Sequence, residues 1–342
     1  MTLCTAWIRK TENTEELVFA SDSKLNGAGE RWDKGIKLFE LPNKDGLLCF
    51  TGSTFRAYPL ILNLTSSITM DERFKMTYLT VNEHVEHICN LFSELVKSIS
   101  DYVEDKHTLR GDARFLFGGW DWKQGCFRVW YILYNPEEER FEAQELTDDP
   151  EATNFHLFIG ESDHSDEVDF DVEDYANQEL TTNLIAKNRL HKNLNMEPME
   201  VLREASINKK VLGVGGSLQV AKLYRSNKSE FFGIIWPSSK GEPHFQGRKY
   251  KKTERPAVQY FDCDTLEITD LDLPDVIDLK DEAFAEDLDF VGECYPDGNL
   301  DKSISDHKKH SLKLIFKEVA YKHYIDKQNK TEKESSNTDE EE

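Results

Sequence analysis

The second residue of the chain becomes chemically capable once the first is removed. Met1 is followed by the small residue Thr2, a pairing that favours methionine removal, so the mature chain is expected to start at threonine. A terminal threonine carries nucleophile and base together: its hydroxyl attacks and its free α-amine takes the proton. That amine titrates at about 7.7–8 when unperturbed, so much of it is neutral and basic near neutral pH. Read alone, position two is more simply a residue that tolerates processing. The residues after it supply the case for chemistry.

Thr2 opens a strand-like run, Leu3-Cys4-Thr5-Ala6-Trp7-Ile8, and a second strand, Leu17-Val18-Phe19-Ala20, runs into Ser21-Asp22-Ser23. The polar stretch Lys10–Glu16 between them suits a hairpin turn. Antiparallel pairing then brings Asp22 close to Thr2. After a Gly-containing loop, Asn26-Gly27-Ala28-Gly29, comes the strand Ile36–Leu41, with Lys37 near its start. The apolar strand Leu47–Thr51 ends at Gly52-Ser53 and turns into an apolar helix, Phe55–Leu64. A backbone N–H at such a turn is well placed to donate to an oxyanion. Taken singly, Asp22 and Lys37 read as an ordinary surface ion pair, worth about 0–1 kcal/mol.

This ordered set resembles the proteasome β-subunit family of N-terminal-nucleophile hydrolases. Leu17–Ser23 matches the family's apolar strand ending in Ala-x-Asp-Ser, and Ile36–Leu41 matches the strand that carries its lysine. Cys49–Ala57 matches its apolar-Ala-Gly-Gly-x-x-Ala-Asp turn, and Leu17–Asn26 looks closest to the bacterial, proteasome-like Anbu proteins. Arg114–Asp121 resembles the family's central strand, and Val214–Lys222 its Gly-Gly turn into a late strand. The likeness covers roughly residues 2–236 and is most specific in the first sixty or so.

The resemblance implies four catalytic roles. Thr2 would be nucleophile and, through its amine, general base. Lys37 would lie beside hydroxyl and amine and depress the amine's pKa by like-charge repulsion. Asp22 would pair with and orient Lys37, and the Gly52 N–H would stabilise the oxyanion, a contribution worth about 10²–10³ in rate. The chain also departs from the pattern. Where the family supports its amine with Gly-Ser-Gly and a later Asp-x-x-Ser, this sequence reads Phe158-Ile159-Gly160-Glu161-Ser162-Asp163 and Val211-Leu212-Gly213-Val214. Glu161 or Ser162 could stand near the amine; the second segment has neither the aspartate nor the serine. The hairpin between Thr2 and Asp22 is also a few residues longer than the family's.

Composition sets outer bounds. The chain has 342 residues, 38% hydrophobic and 11% aromatic, enough for a sizeable core. No apolar run approaches the roughly 20 residues of a membrane span, and the N-terminus shows no signal-peptide core, so a cytoplasmic location is expected. The six cysteines form no CxxC pair and suit reduced thiols rather than a disulfide framework. A formal charge of −23 argues against nucleic-acid or acidic-membrane partners, which require cations. Acidic runs at Glu161–Asp174 and Asp262–Asp289 read as solvation, and the polar tail Thr331–Glu342 as disordered.

The remaining pattern predicts a long amphipathic helix over Leu79–Val103 and strands at Ala113–Gly118, Cys126–Tyr134, Arg140–Gln144 and Phe155–Ile159. Helices are expected at Val172–Leu190 and Pro198–Ile207, then strands at Gln219–Tyr224 and Phe231–Trp236. This order fits an α+β fold with two sheets covered by helices; the resemblance implies the four-layer αββα sandwich. Domains are expected at 1–236 (the hydrolase-like domain), 237–330 (an extension packed on it) and 331–342 (the acidic tail). Within the extension, Gly241–Arg255 reads as a basic loop, Ala257–Cys263 as a strand, Asp264–Pro274 as irregular and Ser311–Ile325 as a helix. His84, His87 and Cys89 lack zinc-site spacing and read as helix-surface or boundary residues. Gly213–Gly216 lacks the Lys-Ser/Thr of a phosphate loop and reads as a tight turn.

The leading expectation is therefore a threonine hydrolase, a peptidase acting through an acyl-enzyme, needing no cofactor or metal and assembling as a homo-oligomeric ring or spiral around a peptide or protein substrate. Its rivals are a catalytically silent scaffold of the same fold, and a non-peptidase amidohydrolase or transpeptidase using the same nucleophile.

Overall fold

The computed structural model describes residues 2–12, 14–27, 30–75, 79–100, 106–147, 155–160, 163–165, 168–211, 213–250, 258–269, 285–296, 300–319 and 322. In its first part come β1 (Leu3–Lys10), β2 (Glu15–Ser21), β3 (Leu25–Gly27), β4 (Glu30–Trp32), β5 (Leu38–Glu40) and β6 (Gly46–Gly52). Helices α1 (Thr54–Met70), α2 (Val81–Lys97) and α3 (Lys106–Gly111) follow, then β7 (Ala113–Asp121), β8 (Cys126–Asn135) and β9 (Arg140–Glu145). Next are β10 (His156–Gly160), β11 (Asp163–Ser165), β12 (Val168–Phe170), α4 (Val172–Ala186) and α5 (Glu197–Ile207). The series continues with β13 (Gln219–Tyr224), β14 (Lys228–Trp236), β15 (Glu242–Phe245), β16 (Arg248–Lys249), β17 (Tyr260–Asp262), β18 (Ile268–Thr269) and α6 (Ala285–Cys294).

The fold mixes helices with two principal sheets. One runs β10-β1-β2-β13-β14-β15-β16, with β17 and β18 attached through β14; the other runs β5-β6-β7-β8-β9. Leu3 to Trp7 are all buried, because β1 lies between β10 and β2 and both its faces are covered. That explains why its sequence is a mostly apolar run, broken only by Thr5 within the buried stretch, rather than an alternating one. Three apolar clusters account for this burial. Trp7, Val18, Phe158, Leu180, Met199 and Val220 join the first sheet to α4 and α5. Phe50, Leu64, Ile88, Phe92 and Phe115 join the second sheet to α1 and α2. Cys4, Ala6, Leu17 and Phe19 meet Leu47, Cys49 and Leu116 where sheet faces sheet.

Local sequence sets the helix ends. Thr80 caps α2 in a reciprocal box with Glu83, and Asp171 accepts from the Glu173 and Asp174 N–H groups at the start of α4. Helix α2 ends at Lys97, short of the expected Val103, because the apolar period outlasts the helix: Ile99 still packs on the second cluster. Asp101 to Asp105 lie outside the described residues. Helix α4 likewise stops at Ala186 rather than Leu190.

The largest difference from expectation lies beyond residue 236. The first sheet does not end there: β15 pairs antiparallel with β14, and β17 pairs with it in parallel. The segment read as a basic loop contains the β15–β16 hairpin, turning through Gln246 and Gly247, both at positive φ. The residues read as irregular after Asp264 include β18. One compact unit accordingly takes the described residues up to Tyr250 together with Val258–Thr269, so the boundary falls later than residue 236. The second unit takes the described residues from 285 onward. It has its own small apolar cluster, in which Val291 and Cys294 of α6 pack with Leu312. Helical residues 306–319 begin before the expected Ser311; the tail 331–342 lies outside the described residues.

All six cysteines are free, and Cys126 is exposed. Among the described residues no helix is long and apolar enough to cross a membrane.

Candidate active site

Thr2 sits at the mouth of β1, 4% exposed. Antiparallel pairing of β1 with β2 sets Cys4 opposite Ser21, so the residue after β2, Asp22, comes level with Leu3. Two bonds lock that placement: Asp22 N donates to the Leu3 carbonyl at 3.2 Å, and Leu3 N donates to Asp22 Oδ1 at 3.1 Å. The Lys24 and Gly215 N–H groups both donate to Oδ2 at 3.1 Å. Lys37, just before β5, completes the set. Its Nζ donates to Asp22 Oδ1 at 2.7 Å and to Thr2 Oγ1 at 2.9 Å.

The structure thus brings Thr2, Asp22 and Lys37 into one bonded chain, and the surface reading of the ion pair fails because both side chains are fully buried. A buried carboxylate is tolerable here because it accepts four hydrogen bonds, three from backbone amides. Gly52 stands apart from this chain, at the end of β6 on the other sheet. Its φ is +95°, and an added Cβ would lie 2.3 Å from the Asp112 carbonyl oxygen, so the turn into α1 requires glycine there. β1 and β6 meet near it: Cys4 Sγ donates to the Phe50 carbonyl at 3.2 Å.

Sequence reasoning missed two supports. Gln219, 1% exposed at the start of β13, accepts from Lys37 N at 3.0 Å and Leu38 N at 3.3 Å through Oε1. Its Nε2 donates to the Asp22 carbonyl at 3.2 Å and the Gly35 carbonyl at 2.7 Å. The one available signal was a polar residue opening an apolar strand three residues after the Gly215-Gly216 turn. The second support is a clamp on Gly160, which pairs with Leu3. Its N–H donates to Glu173 Oε1 at 2.8 Å, and its carbonyl accepts from the Arg114 guanidinium at 2.6 Å. A Cβ on Gly160 would lie 3.1 Å from the Thr2 carbonyl oxygen and 3.5 Å from Glu173 Cγ, so Glu173 and Thr2 border the same space. Burial raises the Glu173 carboxyl above its ordinary range, against the opposing pull of the Gly160 N–H and Arg114.

Glu161 and Ser162, the expected neighbours of the amine, lie outside the described residues, as does Leu212. Among the described residues no group of three or more His, Cys, Asp or Glu stands together as a metal site. His84, read as a surface or boundary residue, is instead buried and pairs with Asp45 at 3.3 Å.

Three buried groups in this order can lower the cost of deprotonating a threonine hydroxyl, because a cation 2.9 Å from Oγ1 favours the developing negative charge. Compared with known proteins, the chain matches no family model and no curated protein.

Proposed function

We propose that the chain is a threonine hydrolase of the proteasome-like, N-terminal-nucleophile kind, a peptidase carried on a four-layer αββα sandwich. The observation that carries this reading is the Thr2–Lys37–Asp22 chain of contacts, 2.9 and 2.7 Å long and buried throughout. A purely structural ion pair has no need to spend an ammonium donor on the hydroxyl of residue two. The three apolar clusters support the sandwich.

In the proposed reaction, removal of Met1 frees the α-amine, which accepts the Oγ1 proton as Oγ1 attacks the scissile carbonyl. The carbonyl's electron pair moves to oxygen, for which the Gly52 N–H is the proposed donor. Collapse breaks the C–N bond, the leaving amine takes the proton, and the acyl group stays on Oγ1 as an ester that water releases. The enzyme is proposed to work in the cytoplasm, without a cofactor, as a homo-oligomer on peptide or protein substrates.

The test is intact mass of the expressed chain before and after an epoxyketone, which bonds hydroxyl and amine together. Loss of Met1 and a single adduct, absent in Thr2→Ala, is the expected result. Retained Met1, or an adduct that survives Thr2→Ala, overturns the reading. A silent scaffold is the second reading, favoured by the lack of any carboxylate in Val211-Leu212-Gly213-Val214. It predicts a processed Thr2 that stays unmodified.

A further inference from the structure

On a chain whose formal charge is −23, four cations gather around one cavity. It holds about 400 Å³ between the start of α5, the end of β1 and the β17–β18 hairpin, and Arg9, Lys187, Arg189 and Lys222 line it. Two of the four are matched one to one: Lys187 pairs with Glu200, and Arg189 with Glu197 at 2.9 Å. The other two share a single oxygen. Arg9 Nη1 donates to Glu16 Oε1 at 2.7 Å, and Lys222 Nζ stands 2.8 Å from the same atom. Glu16 and Lys222 are each 4% exposed, so one positive charge is left over away from water. Glu267, the remaining carboxylate of the lining, is exposed, and water screens it.

Lys222 breaks the apolar run of β13, where Val220, Ala221 and Leu223 are all buried. Among the described residues its one ion pair is with Glu16. Its ammonium lies 5.2 Å from the centroids of both the Phe232 and Phe261 rings. Aromatic faces attract a cation without neutralising it. Burial depresses the Lys222 pKa, against the opposing pull of Glu16. A buried charge short of a counter-ion is costly to keep, and a cavity at its side gives a counter-ion somewhere to sit.

We propose that this cavity binds a small organic monocarboxylate, its carboxylate at Lys222 and Arg9 and its apolar body against Met196, Phe261 and Leu266. The charge count selects the head: one negative charge cancels the surplus, whereas a dianion such as phosphate overshoots it. The walls select the body, because Met196, Phe261 and Leu266 offer no side-chain hydrogen-bond donor to further anionic oxygens. The volume lies near the small end of the range for ligand pockets, about 300–1,000 Å³. That suits a single ring or a short chain. Arg9 lies toward the end of β1 opposite Thr2, so the site is separate from the proposed nucleophile and does not depend on Thr2 reacting.

The experiment is isothermal titration calorimetry on the full chain with three probes: sodium benzoate, benzamide as its neutral match in shape, and inorganic phosphate. Benzoate should give a saturable heat, and benzamide and phosphate none. Lys222→Met leaves Glu16 paired with Arg9, so it should fold, and it should lose at least about tenfold in benzoate affinity, the share of one charge-assisted hydrogen bond. Lys228→Met, at an exposed position of β14, should titrate like the wild type. Should Lys222→Met fail to fold, Arg9→Gln must weaken benzoate by the same factor. The inference is overturned by an absence of saturable heat from benzoate, by benzamide binding as tightly as benzoate, or by phosphate binding more tightly than either. A folded Lys222→Met that keeps wild-type affinity also overturns it.

Discussion

Lys37 Nζ stands 2.7 Å from Asp22 Oδ1 with neither side chain exposed, but the two partners are unequally supported. Asp22 also accepts from the Leu3, Lys24 and Gly215 amides. Among the described residues, Lys37 Nζ bonds to Asp22 and the Thr2 hydroxyl alone. Asp22→Ala therefore leaves a buried ammonium and three amides without their acceptor, and should cost about 3–5 kcal/mol. Lys37→Met leaves a carboxylate still held by three donors and should cost measurably less. Urea titrations of both variants check the order; equal losses would contradict it.

Gln219→Ala should be the most damaging neutral substitution in the first unit. It removes both ends of a bridge that satisfies Lys37 N, Leu38 N and the Asp22 and Gly35 carbonyls. Buried groups left unpaired cost about 1–3 kcal/mol each. Stability and epoxyketone labelling should fall together, whereas Gln219→Glu should retain acceptance from Lys37 and Leu38 yet lose donation to the carbonyls. Labelling of Gln219→Ala at the wild-type rate would show that the bridge does not position Lys37.

Gly52→Ala faces a forbidding backbone, with φ at +95° and a Cβ position 2.3 Å from the Asp112 carbonyl oxygen. A residue held in so sparsely populated a region costs about 1–3 kcal/mol before any clash. Thermal unfolding of Gly52→Ala should show at least that loss. The control is Gly125→Ala, whose φ is +71° but whose Cβ would meet nothing.

His84 should give the stability a pH signature. Burial disfavours its charge, but Asp45 at 3.3 Å and the Thr80 carbonyl outweigh burial and raise its pKa above 6.5. A raised folded-state value means that the folded chain binds the proton more tightly, so the contribution is fully present below 6.5 and is lost as pH rises through the folded value. Melting temperatures measured across that window should decline with pH in the wild type and flatten in His84→Gln. An unchanged slope would remove His84 from the account.

How much of this was legible in the sequence depends on how far the information had to travel. Thr2 and Asp22 share a hairpin, and period-two pairing fixes which residue ends level with which; their proximity follows from a local turn. Lys37 lies just past the short β3–β4 hairpin, only fifteen residues after Asp22. Gln219 and Gly215 reach Asp22 across nearly two hundred residues, and nothing local announces which late strand will lie beside β2. The β15–β16 hairpin was read as a loop because its strands are short and half-exposed, with too few apolar positions to show alternation. His84 was misjudged for the opposite reason: a polar residue in an amphipathic helix suggests surface, and its burial is offset by partners, Asp45 and the Thr80 carbonyl, that the helix pattern does not reveal.

The β1–β2 turn has a practical consequence. Its last pair is Lys10 with Glu15, and Thr11 N closes it on the Thr14 carbonyl at 2.8 Å. At about 3.3 Å per strand residue, the turn lies roughly 30 Å from Thr2. Extra length in this hairpin therefore accumulates at its distal tip and leaves the register at Asp22 untouched. An affinity handle grafted between Thr11 and Thr14 should let the protein be captured without touching Thr2, whereas a handle fused ahead of Thr2 would sit where the proposed reaction needs a free amine.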